Sequence, residues 1–554
     1  MLASLRLSSF NNSVDQHIQE TTSEVFKEAV EFDKPIENVN KANIAIYVSK
    51  LVPHGLIIAL PSLFQLSLET LALIISSRHG GAVSLACFRI VLILNIWLVT
   101  IPVQGILEKV ARSCREAYAN QNYTLVKRNL FQGLCMLVLL YGLIVLPLYF
   151  STEWLLRKLG YTEGFYRTTS TLLFWLLPSD FIRRICELLS SILGSQGIET
   201  PIFLSIGFNW IIALFMVYFL CFASNYSIQG WFVCRYIFDL SNLVFVIILY
   251  FTELDRNSVG FPSRIFMFSN FKKFVKDCIA HTAKLFLEWA GYEIFHILVI
   301  FTVDVNQVAI DAALANIYSY IFIVSFGISK VSVTRIKILI KDKLFNSAKN
   351  ICIATLVCLA CAGFITAVLV FLGRSKLFNV FAQSDQAIKD HMNQIWLLFC
   401  FLLVIGFTEP FIFIQAKLLG ASLPKRILQG VFLIGLQVVL GVYFLRKGHG
   451  ISVLLIDLVI NLFVAISVLA FLYYFKNWFE INLEELSTLV EFTEYPEAVH
   501  NQHEKLEKKL EGKPDTMNPF DTSDLNIVPP KQHAADHRKD GHKPTDDKPL
   551  FAWD

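Results

Sequence analysis

Acidic side chains lie inside long apolar stretches of this chain, and these are the residues best suited to chemistry. A carboxylate in a membrane-spanning helix costs about 2.5–3.5 kcal/mol on insertion scales, so it indicates a function by default. Such a group can take up a proton or attract an organic cation, and the two compete for one negative charge. Six residues fit this description: Glu69, Asp180, Asp239, Glu288, Glu293 and Glu409.

Local pairing separates five of these acids into two groups. Asp180 has arginines three and four residues later, at Arg183 and Arg184, and Asp239 follows Arg235 at a spacing of four. These spacings favour ion pairs on one helix face. The second group has no Lys or Arg within one helical turn, and it consists of Glu69, Glu293 and Glu409.

One predicted helix carries two of the acids. Glu288 and Tyr292 share a face at a spacing of four, whereas Glu293 lies about 140° around the helix from Glu288. His296 follows Glu293 by three residues and is close enough to share its proton. The two carboxylates can serve different states of a cycle, or one can face a pocket while the other holds the helices together.

The composition predicts a membrane environment. The 554 residues are 55% apolar and 17% charged, whereas soluble proteins are roughly 45–50% apolar and 25% charged. A net charge of +3 gives no basic footprint for nucleic acid. No grouping of metal ligands or of a nucleophile with a base indicates an enzyme.

Windows of about 19 residues predict twelve spans in two sets of six: 52–75, 85–110, 129–150, 167–192, 201–223 and 231–251, then 280–302, 309–334, 349–372, 393–418, 425–446 and 450–475.

Loop charges predict the orientation. The loops after the second and eighth spans are basic, and those after the fifth and seventh lack Lys and Arg. Both termini are therefore expected in the cytosol. The membrane that holds the protein is expected to be the plasma membrane or an acidic internal membrane.

The tripeptide Asn518-Pro519-Phe520 is a candidate ligand for an endocytic adaptor. The predicted segments are a cytosolic N-terminus (1–44), an N-lobe (45–251), an amphipathic cytosolic linker (252–279), a C-lobe (280–476) and a disordered cytosolic tail (485–554).

The two sets of spans show an internal repeat. Glu69 and Glu293 occupy matching depths in the first and seventh spans, and Asp180 lies opposite Glu409 in the fourth and tenth. Many transporters are built from such related halves, so the repeat predicts two pseudo-symmetric lobes.

Four stretches resemble motifs of the multidrug and toxic compound extrusion (MATE) transporters. The most specific is Leu287-Glu288-Trp289-Ala290-Gly291-Tyr292-Glu293, which is similar to "L-E-W-W-x-Y-E" in eukaryotic members. The resemblance covers roughly residues 45–475. The other stretches are 105–118, 193–209 and 326–335.

This resemblance implies an all-α polytopic membrane protein with twelve transmembrane helices, arranged as two six-helix lobes around a central cleft. It also implies a monomeric antiporter that exports lipophilic organic cations and xenobiotics in exchange for protons by alternating access. Its partners would be those cations and membrane lipid; sodium is the alternative coupling ion, and no other cofactor is implied. The residues expected to bind substrate or proton are Glu293, Glu409, Glu288, Glu69, Tyr292, Gln65 and Asn209.

The chain also departs from the family pattern. Arg115 and Glu116 replace "G-Q", Ser325 replaces a proline, and Ala213 stands where prokaryotic members have an acid. Two other functions therefore stay open. One is a flippase for lipids or lipid-linked sugars of the same superfamily, and the other is a non-transporting receptor or scaffold that signals through its tail.

Overall fold

The computed structural model describes residues 41–443 and 450–460, with gaps at 197, 199, 225–226, 255, 261, 263–266, 342–343, 383–384, 419–437, 453 and 457. Regular structure in the described residues is helical throughout, and seven helical stretches there are long and apolar enough to cross a membrane. The predicted all-α polytopic membrane architecture is thus confirmed. The N-terminal 40 residues and the tail with Asn518-Pro519-Phe520 lie outside the described residues.

The first half of the described chain consists of long helices joined by tight turns. Predicted spans one and two are not separated by a loop. Helix α1 contains the first span and the start of the second, changes direction between them at Gly81 (φ 58°, ψ −149°), and is followed by a π turn at Ile96–Thr100. Only glycine adopts such a conformation at little cost. The helices are α1 (Lys41–Asn95), α2 (Ile101–Ala119), α3 (Tyr123–Leu140), α4 (Leu146–Leu159), α5 (Glu163–Ser195), α6 (Thr200–Val217) and α7 (Ser227–Thr252). A second π turn, Tyr141–Val145, joins α3 to α4.

The second half continues in the same manner. The predicted helix of the linker begins at Phe271 and runs without a break into the seventh span. Predicted spans eleven and twelve are described only at 438–443 and 450–460. The helices are α8 (Phe271–Ile300), α9 (Val305–Lys341), α10 (Phe345–Leu372), α11 (Arg374–Ala382) and α12 (Gln386–Leu418).

Small residues bring the two halves into close contact near the end of the bundle where α1 begins, which we call the inner end because the sequence predicts it to be cytosolic. A Cβ at Gly327 of α9 would lie 2.3 Å from the Gly55 carbonyl oxygen of α1. A Cβ at Gly105 of α2 would lie 2.2 Å from Thr282 Oγ1 of α8. Glycine permits such close packing of membrane helices, so the backbones of the two halves touch here.

Candidate functional site

Glu69 joins three helices of the first half. Its Oε1 atom lies 3.6 Å from Arg183 Nη1 of α5 and 3.5 Å from Arg235 Nη1 of α7. Arg183 also donates a 2.6 Å hydrogen bond to Gln65 Oε1, one turn before Glu69 on α1. The structure therefore brings the predicted site residues Gln65 and Glu69 together around one guanidinium. These partners could not be found by local spacing, because they come from other helices.

The ion pairs predicted from local spacing are present. Arg184 Nη2 lies 3.3 Å from Asp180 Oδ1, and Arg235 Nε lies 3.0 Å from Asp239 Oδ2. All four side chains are nearly inaccessible, with exposures of 2–4%. Tyr141, in the second π turn, donates a 2.5 Å hydrogen bond to Asp180. Asp180 and Asp239 are therefore ion-paired members of a buried network.

Glu187 is a member of this network that the sequence analysis did not single out. Its two carboxylate oxygens accept from Arg183 Nε at 2.9 Å and from Arg184 Nη1 at 2.8 Å. The second arginine also donates to Thr100 in the first π turn, at 2.7 Å. The spacings of four and three on α5 could have revealed both pairs. Arg183 thus pairs with Glu187 on its own helix, and not with Asp180.

The first-half network carries surplus negative charge. It contains four carboxyl groups and three guanidinium groups, so one negative charge is unbalanced when all are ionised. The most exposed acids are Glu69, at 26% of its side chain, and Glu187, at 22%.

The second half presents two buried carboxyl groups of a different kind. Glu293 of α8 is 7% exposed, and its Oε2 atom has no hydrogen-bond partner among the described residues. Glu409 of α12 is 8% exposed and accepts a 2.6 Å hydrogen bond from Tyr318 of α9. Neither carboxyl forms an ion pair with a described residue. Burying a carboxylate without a counter-charge is costly, so a bound proton or cation would stabilise both groups.

A buried charge cluster that the sequence analysis also missed links the halves at the opposite, outer end. Asp311, at the start of α9, is fully buried and accepts from Arg89 Nε of α1 at 2.7 Å. Its other oxygen lies 2.7 Å from His296 Nδ1 of α8. Asp311 and Arg89 both lie inside predicted spans, so their charge alone was a usable signal. The spacing of His296 on α8 suggested that it shares a proton with Glu293. In the structure its Nδ1 atom contacts Asp311.

The remaining predicted site residues are placed as follows. Asn209 of α6 donates a 2.8 Å hydrogen bond to Asn242 of α7. The side chains of Glu288 and Tyr292 lie outside the described part of the chain. Next to Glu69, Thr70 donates to Asn316 of α9 at 3.1 Å, a polar contact between the halves.

Comparison with known proteins agrees with this architecture. The MatE family model matches residues 58–219. The crystal structure of the eukaryotic MATE transporter AtDTX14 is 14% identical, with a TM-score of 0.59 over 80% of this chain and 98% of that chain. An inward-facing multidrug resistance MATE family transporter of the MOP superfamily is 14% identical, with a TM-score of 0.60 over 76% and 96%. An outward-facing one is 13% identical, with a TM-score of 0.57 over 79% and 96%. No curated protein sequence matches the chain.

These likenesses cover nearly the whole length of the solved transporters, and at this level of identity they demonstrate the fold. The family model covers the helices that carry Gln65, Glu69, Arg183 and Asn209. The chain therefore has the fold of the MATE transporters, and its residues 58–219 match the MatE family model.

Proposed function

We propose that this protein is a secondary active antiporter that exports small lipophilic organic cations in exchange for protons by alternating access. The observation that carries the proposal is the pair of buried carboxyls, Glu293 and Glu409, which form no ion pair with the described residues. Each would alternate between a bound proton and a bound cation. In this proposal Glu69 and Gln65 attract the cation at the entrance, and Glu288 and Tyr292 support the pocket.

Charge balance supports a cationic substrate. The first-half network and the outer cluster, together with Glu293 and Glu409, contain seven carboxyl groups but only four guanidinium groups. One-for-one exchange of a proton for a monovalent cation moves no net charge, so the pH gradient alone drives it. A gradient of one pH unit supplies about 1.4 kcal/mol, or roughly tenfold accumulation.

Contacts at both ends of the interface between the halves fit an alternating-access cycle. The inner contact is the packing of Gly55 against Gly327, and the outer contact is the pair of Arg89 with Asp311. In the proposed cycle each contact breaks in turn while the other holds. The outer pair would be exposed to water when the cleft opens outward.

The test is uptake of a fluorescent lipophilic cation into liposomes with an acidic lumen. Wild type should accumulate the dye, and accumulation should collapse when the pH gradient is dissipated. Glu293→Gln and Glu409→Gln should each abolish it, because the amide neither carries a charge nor exchanges a proton. Glu163→Gln is the matched control, since that glutamate is 64% exposed and, among the described residues, forms its ion pair with Arg167 on the same helix.

Each other outcome alters the proposal. Uptake that follows a sodium gradient and ignores pH would replace the proton with sodium as the coupling ion. Uptake that survives in both glutamine variants would refute the assigned sites. If wild type moves no cation under either gradient, cation export is refuted.

A flippase is the second candidate, because Arg183 and Arg235 both face the interface residue Glu69 and supply positive charge for a lipid phosphate. The neighbouring carboxylates more than neutralise these arginines, so cation transport is favoured. The same liposomes loaded with a fluorescent phospholipid would distinguish the two. Faster exchange of that lipid between leaflets with wild type than with empty liposomes would support the flippase.

A further inference from the structure

A polar pocket of about 300 Å³ opens at the inner end, away from the buried carboxyls. Its walls are the end of α2, the turn into α3, the first turns of α3, and the start of α8. Gln132 of α3 fixes the wall by donating hydrogen bonds to the carbonyls of Met267 and Ser269, at 3.1 and 3.0 Å. Lys109 closes the other side with a 2.8 Å ion pair to Asp277. The pocket is therefore built by contacts between the α2–α3 hairpin and the linker.

The charges lining the pocket leave a positive surplus. Its cations are Lys109, Arg128 and Lys273, and its acids are Glu116 and Asp277. The hydrogen bond from Lys109 lowers the pKa of Asp277, so that pair stays ionised at neutral pH. The other acid, Glu116, is already paired with Arg112 at 3.1 Å. Arg128 and Lys273 thus add positive charge that the lining acids do not balance.

Buried donors in the same wall lack oxygen acceptors among the described residues, and the Asn129 side chain has only the weak sulfur acceptor of Cys114. The Arg128 Nε atom and the Asn129 amide nitrogen are buried and find no oxygen acceptor among the described residues. The Asn129 side chain is 97% inaccessible, since its exposed fraction is 3%. Leaving buried donors unsatisfied is costly. A ligand with several acceptor oxygens would satisfy them.

Aromatic residues beside the pocket suit a position at the membrane surface. Phe268 precedes α8, is 61% exposed, and contacts the rings of Phe131 and Phe271 edge-on, with centroid distances of 5.5 and 5.9 Å. Lys272 and Lys276 are exposed on the same segment. Exposed aromatic and basic side chains together are typical of segments that lie in the interface of a bilayer.

We propose that this pocket binds a phosphate group, with Arg128, Lys273 and Asn129 donating to its oxygens. Phosphate is the ligand whose charge and acceptors match an arginine fork and an ammonium group. The source is either a phospholipid headgroup or a free phosphate compound in the cytosol. Since the pocket joins the α2–α3 hairpin to the linker, occupancy would stabilise the link between the two halves of the transporter. This site is independent of the transported substrate.

The experiment measures ligand-induced stabilisation of the full-length protein, which rises with ligand concentration over the dissociation constant. In one arm, purified protein in detergent is heated in sodium phosphate or in sodium chloride of equal ionic strength. In the other, protein in phosphatidylcholine nanodiscs is compared with and without a minor fraction of phosphatidylinositol phosphate. The pocket variant is Arg128→Gln with Lys273→Gln. The matched control is Lys127→Gln with Lys272→Gln, which removes two adjacent charges that do not line the pocket.

We expect the ligand to stabilise wild type and the control, and to bind the pocket variant about tenfold more weakly or worse, because charge-assisted hydrogen bonds are lost. Stabilisation in both arms indicates any phosphate group, and stabilisation in the nanodisc arm alone indicates a phospholipid. Equal loss in the control would show diffuse attraction and overturn the proposal, as would no stabilisation of wild type in either arm. If the double variant does not fold, Lys273→Gln alone decides, because that side chain is exposed and its removal disturbs no packing.

Discussion

Removing the charge of Asp311 should loosen the contact between the two halves at the outer end of the helix bundle. Asp311 is fully buried and is held by Arg89 and His296, each at 2.7 Å. The substitution Asp311→Asn leaves the Arg89 guanidinium, which is 5% exposed, without its counter-charge. Breaking a buried ion pair in this way costs about 3–5 kcal/mol. If the halves separate at the outer end, as in the proposed cycle, Arg89 is hydrated, so the cost falls mainly on the closed state.

The lower limit of that cost, about 3 kcal/mol, changes the ratio of open to closed molecules roughly 150-fold, because 1.4 kcal/mol corresponds to a factor of ten. Hydrogen–deuterium exchange read by mass spectrometry measures this directly in the intact chain. Amides around Arg89 and Asp311 should exchange faster, whereas those around Gly55 at the inner contact should not. Glu163→Gln breaks an exposed pair, worth about 0–1 kcal/mol, and should leave both regions unchanged.

A double variant tests whether the pair of Arg89 with Asp311 holds the outer end closed. Arg89→Gln with Asp311→Asn removes both charges, so no buried charge is left unpaired. Its outer end should exchange more slowly than that of Asp311→Asn alone, since the two residues act as a coupled pair. Equal or faster exchange in the double variant would show that the pair does not hold the outer end closed.

Three further predictions concern other contacts. Gly327→Ala would place a Cβ 2.3 Å from the backbone of α1. Such overpacking should cost about 1–3 kcal/mol of stability and should appear as faster hydrogen exchange at the inner contact. Gly142→Ala is the control and should leave exchange unchanged, because its Cβ would meet nothing within 4 Å. Glu69→Gln removes the carboxylate that contacts Arg183 and Arg235. Because Glu69 is partly exposed, the loss of stability should be about 1–3 kcal/mol. A raised thermal unfolding midpoint would contradict this. The lowered pKa of Asp277 means that its pair with Lys109 is present at neutral pH and is lost only as the pH falls through that lowered value. The protection factors of amides at the start of α8, corrected for the intrinsic pH dependence of exchange, should therefore not change between neutral and mildly acidic pH, and should fall in Asp277→Asn already at neutral pH.

Features that depend on neighbours along the chain could be predicted from the sequence. Apolar windows located the helices, since hydrophobicity over about 20 residues is what a bilayer requires. Helical spacing located the pairs of Asp180 with Arg184 and of Asp239 with Arg235, because residues four apart share a face. The same rule applied to Glu187 would have identified it as part of the network. The ends of helices could not be predicted as well. Helix α1 continues past its predicted end, because a bend at Gly81 and a π turn accommodate the change of direction.

Helix packing sets which charges face one another across helices. Glu69 has no cation near it in sequence, yet it contacts Arg183 and Arg235 from two other helices. Asp311 meets Arg89 across the two halves of the molecule. Helix packing sets these distances, and no local pattern encodes them. The apolar runs of the sequence are enough to place acids within the membrane helices. Packing decides that most of these acids contact arginines, while Glu293 and Glu409 are buried with no ion-pair partner among the described residues.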